Sequence, residues 1–145
     1  MLQKADADAL ADFVEAHVAT AVSVTVAAEQ TTSSTLYTDL ATTTDTVTVT
    51  VGVSGIVQVS VTAWMKGSVV DANTYASFTV SGANTLAADD LRCTGLSTPS
   101  GGGHQASGVY VLTGLAPGST TFKMKYRVSN GTGTFSNRTI SATAF

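Results

Sequence analysis

Every second residue is apolar through long stretches of this chain, and the residue between is usually Thr or Ser. Thr46-Val47-Thr48-Val49-Thr50-Val51 shows the pattern most clearly. Val57-Gln58-Val59-Ser60-Val61-Thr62-Ala63 repeats it, and Phe122-Lys123-Met124-Lys125-Tyr126-Arg127-Val128 repeats it with cations between the apolar positions. A period of two puts the apolar side chains on one side of a β-strand and the polar ones on the other. Such strands are half buried and form antiparallel sheets with one dry face and one wet face. The pattern predicts strands near 35–40, 45–53, 56–65, 74–81, 90–94, 107–114, 120–129 and 134–144.

Turn residues separate these runs. Gly52-Val53-Ser54-Gly55 joins the two most regular strands, Gly114-Leu115-Ala116-Pro117-Gly118-Ser119 holds a Pro-Gly turn, and Ser129-Asn130-Gly131-Thr132-Gly133 carries the Asn-Gly hairpin signal. Ser97–His104, with its triple glycine, reads as a long flexible loop. About eight short strands at this spacing predict a jelly-roll-like antiparallel β-sandwich rather than a seven-stranded immunoglobulin type, whose Cys pair with an intervening Trp is missing. The predicted core is Val47, Val49, Val51, Val57, Val59, Val61, Phe78, Val80, Val109, Val111, Phe122, Met124, Tyr126, Val128, Phe135 and Ile140.

The N-terminal stretch follows a different rule. Residues 2–20 contain no Gly or Pro and are mostly helix-tolerant, and Asp6, Asp8 and Asp12 sit in the early turns, where the helix dipole favours anions. Leu10, Val14, His17, Ala21 and Val24 fall at coiled-coil spacing. The alternative is an amphipathic helix docked on its own β-domain. Extended chain is expected from about residue 21, and the hydroxyl-rich stretch 29–35 reads as a linker. The expected organisation is an N-terminal helical or extended anchor over 1–30 and a β-sandwich over 31–145.

Charge sharpens the picture. Only 12% of the 145 residues are charged, about half the usual share, so hydroxyls and backbone solubilise the surface. All ten acidic residues fall at or before Asp90, which leaves residues 1–90 with −8 and residues 91–145 with +5. Either the two halves meet inside one domain, or like subunits or a larger partner meet head to tail. Lys123, Lys125 and Arg127 project from one strand face, as a solvated edge or as a grip for an acidic protein surface. The acidic balance and the lack of interleaved aromatics on that face argue against direct nucleic-acid binding.

Candidate chemistry is sparse. Cys93 is alone, so neither an internal disulfide nor a thiolate zinc cage is available. His17 and His104 are the only histidines and lie far apart. Asp89-Asp90 is expected to solvate both charges at a strand entry, because neighbours on a strand face opposite ways. No nucleophile elbow or phosphate loop is present. No catalytic, cofactor or metal residues are assigned, and an enzyme such as a cell-wall hydrolase is disfavoured. No apolar run approaches the ~18 residues of a membrane span, and Met1-Leu2-Gln3-Lys4-Ala5-Asp6 does not read as a secretory signal. The Asn130-Gly131-Thr132 and Asn137-Arg138-Thr139 sequons read as chance matches. Trp64 and Tyr75 are expected on outer faces, at a subunit interface or stacked on sugar.

Several segments together resemble a known domain. They are Thr32-Ser33-Ser34-Thr35-Leu36-Tyr37, Val47-Thr48-Val49-Thr50-Val51-Gly52, Ser77-Phe78-Thr79-Val80-Ser81-Gly82, Leu112-Thr113-Gly114-Leu115-Ala116-Pro117-Gly118 and Gly133-Thr134-Phe135-Ser136-Asn137-Arg138. In this order, over roughly residues 31–145, they resemble a small β-domain of minor tail, minor capsid or head decoration proteins of actinobacterial tailed phages. The same strand order is similar to the C1q/tumour-necrosis-factor jelly roll, typically a trimer. The resemblance implies a non-enzymatic virion protein on the capsid surface. Its implied partners are its own copies, as a trimer, and the major capsid protein. On this reading Leu10, Phe13, Val14, Lys123, Lys125 and Arg127 are the candidate partner-binding residues. A tail-tip or fibre module that binds host glycan through Trp64, Tyr75 and Ser97–His104 is the second reading.

Overall fold

The computed structural model describes residues 3–16, 18–97 and 102–145. Helix α1 (Lys4–Ala16) is followed by strands β1 (Thr20–Val26), β2 (Gln30–Thr32), β3 (Thr46–Val51), β4 (Val57–Gly67), β5 (Asn73–Gly82), β6 (Thr94–Ser97), β7 (His104–Leu112), β8 (Gly118–Val128) and β9 (Gly133–Ala144). One sheet runs β1-β9-β4-β7, with β2 also paired to β9, and the other runs β3-β8-β5-β6. Every pairing is antiparallel. The pairs β5–β6, β4–β7, β3–β8 and β1–β9 nest one inside the next, and the long hairpin they make is rolled until β4 meets β9 and β5 meets β8. This is a jelly-roll sandwich.

The core lies between the two sheets. Val57, Val59, Val61, Ala63 and Met65 of β4 are fully buried, and Phe122, Met124, Tyr126 and Val128 of β8 face them from the other sheet. Val47, Val49, Val51, Val57, Val59 and Val61 all point inward, as the alternation predicts, whereas Val53 in the turn between the two strands is exposed. Each large apolar side chain buried this way contributes roughly 1.5–3 kcal/mol. Gly55 makes the β3–β4 turn possible: its φ is 63°, and a Cβ there would lie 2.7 Å from the Leu115 carbonyl oxygen.

Five features depart from the sequence reading. Val109 and Val111 are each 60% exposed, because β7 has the opposite parity and turns Ala106, Tyr110 and Leu112 inward. Residues 35–40 form no strand. Instead Thr38 makes a single bridge to Tyr126 and Ser34 accepts from the Val128 amide, so the segment lines β8 where β3 has ended. The 90–94 stretch is a 3-10 turn (Asp90–Arg92) capped by the Asp89 side chain, and β6 follows it. The sheet begins earlier than the linker reading allowed: β1 and β2 both pair with β9. Ala21 and Val24 therefore belong to β1, and the heptad pattern ends before them.

Phe135 and Ile140 are both fully buried although they lie five positions apart, an odd spacing that strict alternation forbids. A bulge resolves this. Asn137 takes a φ of 47°, and the β4–β9 register slips between Thr62 and Trp64. Beyond the bulge Arg138, Ile140, Ala142 and Ala144 face the core.

Candidate functional site

The cations of β8 stand on the outer face of the four-stranded sheet, and each has a carboxylate from the first ninety residues. Asp39 takes Lys125 at 2.7 Å and Lys123 at 3.0 Å. Asp90 takes Arg127 through Nε at 3.1 Å and Nη2 at 2.5 Å. The Arg127 guanidinium also lies 3.9 Å from the Tyr75 ring centroid and 5.4 Å from that of Tyr37, whose hydroxyl donates to Asp90 at 2.8 Å. Aromatic rings therefore do flank this stripe. Asp89 also pairs with Arg92 at 2.6 Å, so the Asp89-Asp90 dipeptide is bound by cations rather than simply solvated. For these pairs, the acidic and basic halves of the chain meet within one fold.

The titration of the groups follows from these contacts. Hydrogen bonds from Arg127 and then Tyr37 hold the Asp90 carboxyl below its ordinary value. Burial would raise Asp39, but hydrogen bonds and charge from Lys125 and Lys123 outweigh it and hold that carboxyl low as well. Burial, then the bond to Asp90, pushes the Tyr37 phenol up. Burial likewise raises the Cys93 thiol.

A second charged cluster is sealed in the interior. Arg138, Asp45 and Tyr126 are all buried. The Tyr126 hydroxyl donates to Asp45 at 2.5 Å, and Arg138 Nη1 donates to Gln30 Oε1 at 3.0 Å. The guanidinium lies 5.4 Å from the Tyr126 ring centroid, while its Nε and Nη2 have no partner among the described residues. The cluster ties the segment that holds β2 and Asp45 to β8 and β9. Sequence reasoning missed it, and the signal was the parity conflict between Phe135 and Ile140.

Trp64 and Tyr75 lie on outward-facing positions of opposite sheets, so they cannot share one contact site. The backbone at Gly103 lies against the Trp64 indole, where a Cβ would come within 1.9 Å of Cζ2, and the Tyr75 ring is covered by Arg127. Beside Trp64 is an open groove of about 540 Å³ lined by Glu29, Lys66, Ser68, Thr132 and Thr134. Of the proposed contact loop, residues 98–101 lie outside the described residues. So does His17. His104 is exposed at the start of β7. Among the described residues no three His, Cys, Asp or Glu side chains converge as a metal site, and no helix is long and apolar enough to cross a membrane.

Among the described residues of helix α1, no side chain is buried. Residues 3–14 are exposed throughout. The Asp6 carboxylate accepts from the Gln3 amide and caps its first turn. Leu10, Phe13 and Val14 are 54%, 60% and 52% exposed and fall on one side of the helix, with Asp8 and Asp12 on the other.

No family model matches the sequence, and no curated protein matches it. Solved structures do match the fold. One is the VP2 subviral particle of infectious bursal disease virus, with 10% identity, a TM-score of 0.59 and coverage of 88% of this chain and 33% of that one. Another is the T13 particle of the same virus, with 13% identity, a TM-score of 0.56 and coverage of 87% and 31%. The globular domain of zebrafish complement 1qA aligns over 86% of this chain and 94% of its own, with 13% identity and a TM-score of 0.45. The chain spans about a third of the viral chains it matches. At these identities the likeness is one of fold: the chain is a jelly-roll β-sandwich, an architecture it shares with part of a virus-particle protein.

Proposed function

We propose that the chain is a non-enzymatic structural protein of a virion, and more narrowly a decoration (minor capsid) protein on the head of a tailed phage. The observation that carries this reading is the jelly-roll fold shared with VP2 of a virus particle over 88% of the chain. In this reading the exposed apolar side of α1 attaches the protein to the major capsid protein, and the sandwich stands on the shell surface as a homotrimer. A shell swollen by packaged DNA gains from ties that bridge its subunits, and repeated copies supply avidity without strong single contacts. The paired charges of β8 stiffen the sandwich in this scheme and leave attachment to the helix.

The test is to mix the protein with purified whole phage particles, heads and tails together, and to image them. Regular density on the shell at hundreds of copies is the expected result. A few copies at a tail tip would favour the glycan-binding alternative, and no binding to any part of the particle would overturn the virion reading.

A further inference from the structure

The two outer faces of the sandwich differ in kind. The face of the four-stranded sheet carries Lys123, Lys125 and Arg127 with their carboxylates. The other sheet has no charged residue anywhere in β1, in 57–63 of β4, in 107–112 of β7 or in 139–144 of β9. Over those stretches its outer surface is a carpet of hydroxyls, with Lys66 beyond them at the far end of β4, and many of these hydroxyls already bond to one another across the strands. Thr25 pairs with Thr139 at 2.8 Å, Ser60 with Ser141 at 2.6 Å, and Thr62 with Ser107 at 2.8 Å. Hydroxyls satisfied within the sheet lose less when water is removed. Val109 and Val111, each 60% exposed, border this carpet on the edge strand β7. That strand has none of the Lys, Pro or bulge devices that usually protect a sheet edge.

We propose that this uncharged face of the β1-β9-β4-β7 sheet is where a second copy of the chain docks. The inference rests on the homo-oligomer reading above and names its surface. A charged partner would be stripped of hydration against a face that offers no counter-charge. Two copies of a chain with net charge −3 meet with least repulsion where neither carries charge. The acidic helix and the charge-bearing sheet are poorer meeting points. Four strands about 4.8 Å apart and roughly 23 Å long give about 450 Å² of flat area, near half of the ~800 Å² that one partner gives to a standard interface. A face-to-face contact of this size is weak, so the oligomer should dissociate at the low end of a concentration series.

The experiment is the mass of the full-length chain by light scattering over a concentration series, with Ser141→Arg and Val109→Arg on the face and Thr48→Arg on the opposite sheet as the control. The expected result is an oligomer that both face variants shift to monomer by roughly tenfold or more in dissociation constant, while Thr48→Arg leaves the mass unchanged. Val109 is an exposed edge position, so its variant should keep the wild-type far-ultraviolet spectrum even if Ser141→Arg does not. A monomeric wild type, face variants with unchanged mass, or dissociation by Leu10→Asp but not by Val109→Arg would each overturn the proposal. A monomer that still decorates heads would sink this inference and leave the virion reading intact; an oligomer held by this face that binds no head would do the reverse.

Discussion

The guanidinium of Arg138 lies 3.7 Å from the carboxylate of Asp45, and both side chains are out of solvent. Removing either partner strands a buried charge, which costs about 3–5 kcal/mol, whereas removing both together with similar volume can be nearly neutral. Arg138→Met should therefore lower the urea midpoint sharply, and the double variant Arg138→Met/Asp45→Asn should recover much of the loss. A single variant that costs under about 1 kcal/mol would contradict burial of the pair.

Attachment and folding should separate at α1. Leu10→Asp with Val14→Asp changes residues that are already more than half exposed. Thermal stability should move by no more than about 0.5 kcal/mol, while co-sedimentation with phage heads is lost. Deleting residues 1–28 would be a poor substitute, because it removes β1 and its seven-residue ladder to β9. Full binding by the substituted protein would release α1 from the attachment role.

Stability should fall at both ends of the pH scale for different reasons. Asp39 and Asp90 have lowered folded pKa values. The unfolded chain takes up protons first as pH falls, so their contribution is present above about pH 4 and is lost below it. Asp90→Asn should flatten the acid limb of a melting-temperature profile. Tyr37, Tyr110 and Tyr126 have raised values, chiefly through burial. Their contribution is present below about pH 10 and declines as pH climbs and the unfolded chain ionises first. Phenolate absorbance of the folded protein should lag that of the denatured protein, and coincident titrations would contradict the burial of these rings.

Trp64 is the sole tryptophan and offers a local probe. Gly103→Ala would drive a methyl to within 1.9 Å of its ring unless the loop or the ring moves. The emission maximum should shift while the melting temperature changes little, since the contact is peripheral. An unchanged spectrum would mean that Gly103 does not rest on the indole.

Much of the sandwich could be read from the alternation of β3, β4, β8 and β9, because each of those strands has a dry side and a wet side. The errors have physical sources. In Gly108-Val109-Tyr110-Val111-Leu112 either parity is apolar, so periodicity could not say which side is wet. Tyr110 settles it by burying its ring against Phe78 at 5.9 Å. Residues 35–40 alternate weakly, and the side chains of Tyr37 and Asp39 are drawn to Asp90 and the lysines. Extended chain was legible from about residue 21, but nothing local showed that β1 would add to the sheet beside β9, more than a hundred residues away in sequence. The carboxylates that serve Lys123, Lys125 and Arg127 come from positions some forty to ninety residues upstream, a distance that no local pattern spans.

Thr20 pairs with Ala144 at one pole of the barrel-shaped roll, whereas Gly133 and the Asn130-Gly131 turn sit at the other, roughly 37 Å along β9. Anything gripped through α1 is held at the first pole. A peptide spliced into the Asn130-Gly131 turn would point away from that grip, which makes this turn the natural place to carry cargo outward on a particle.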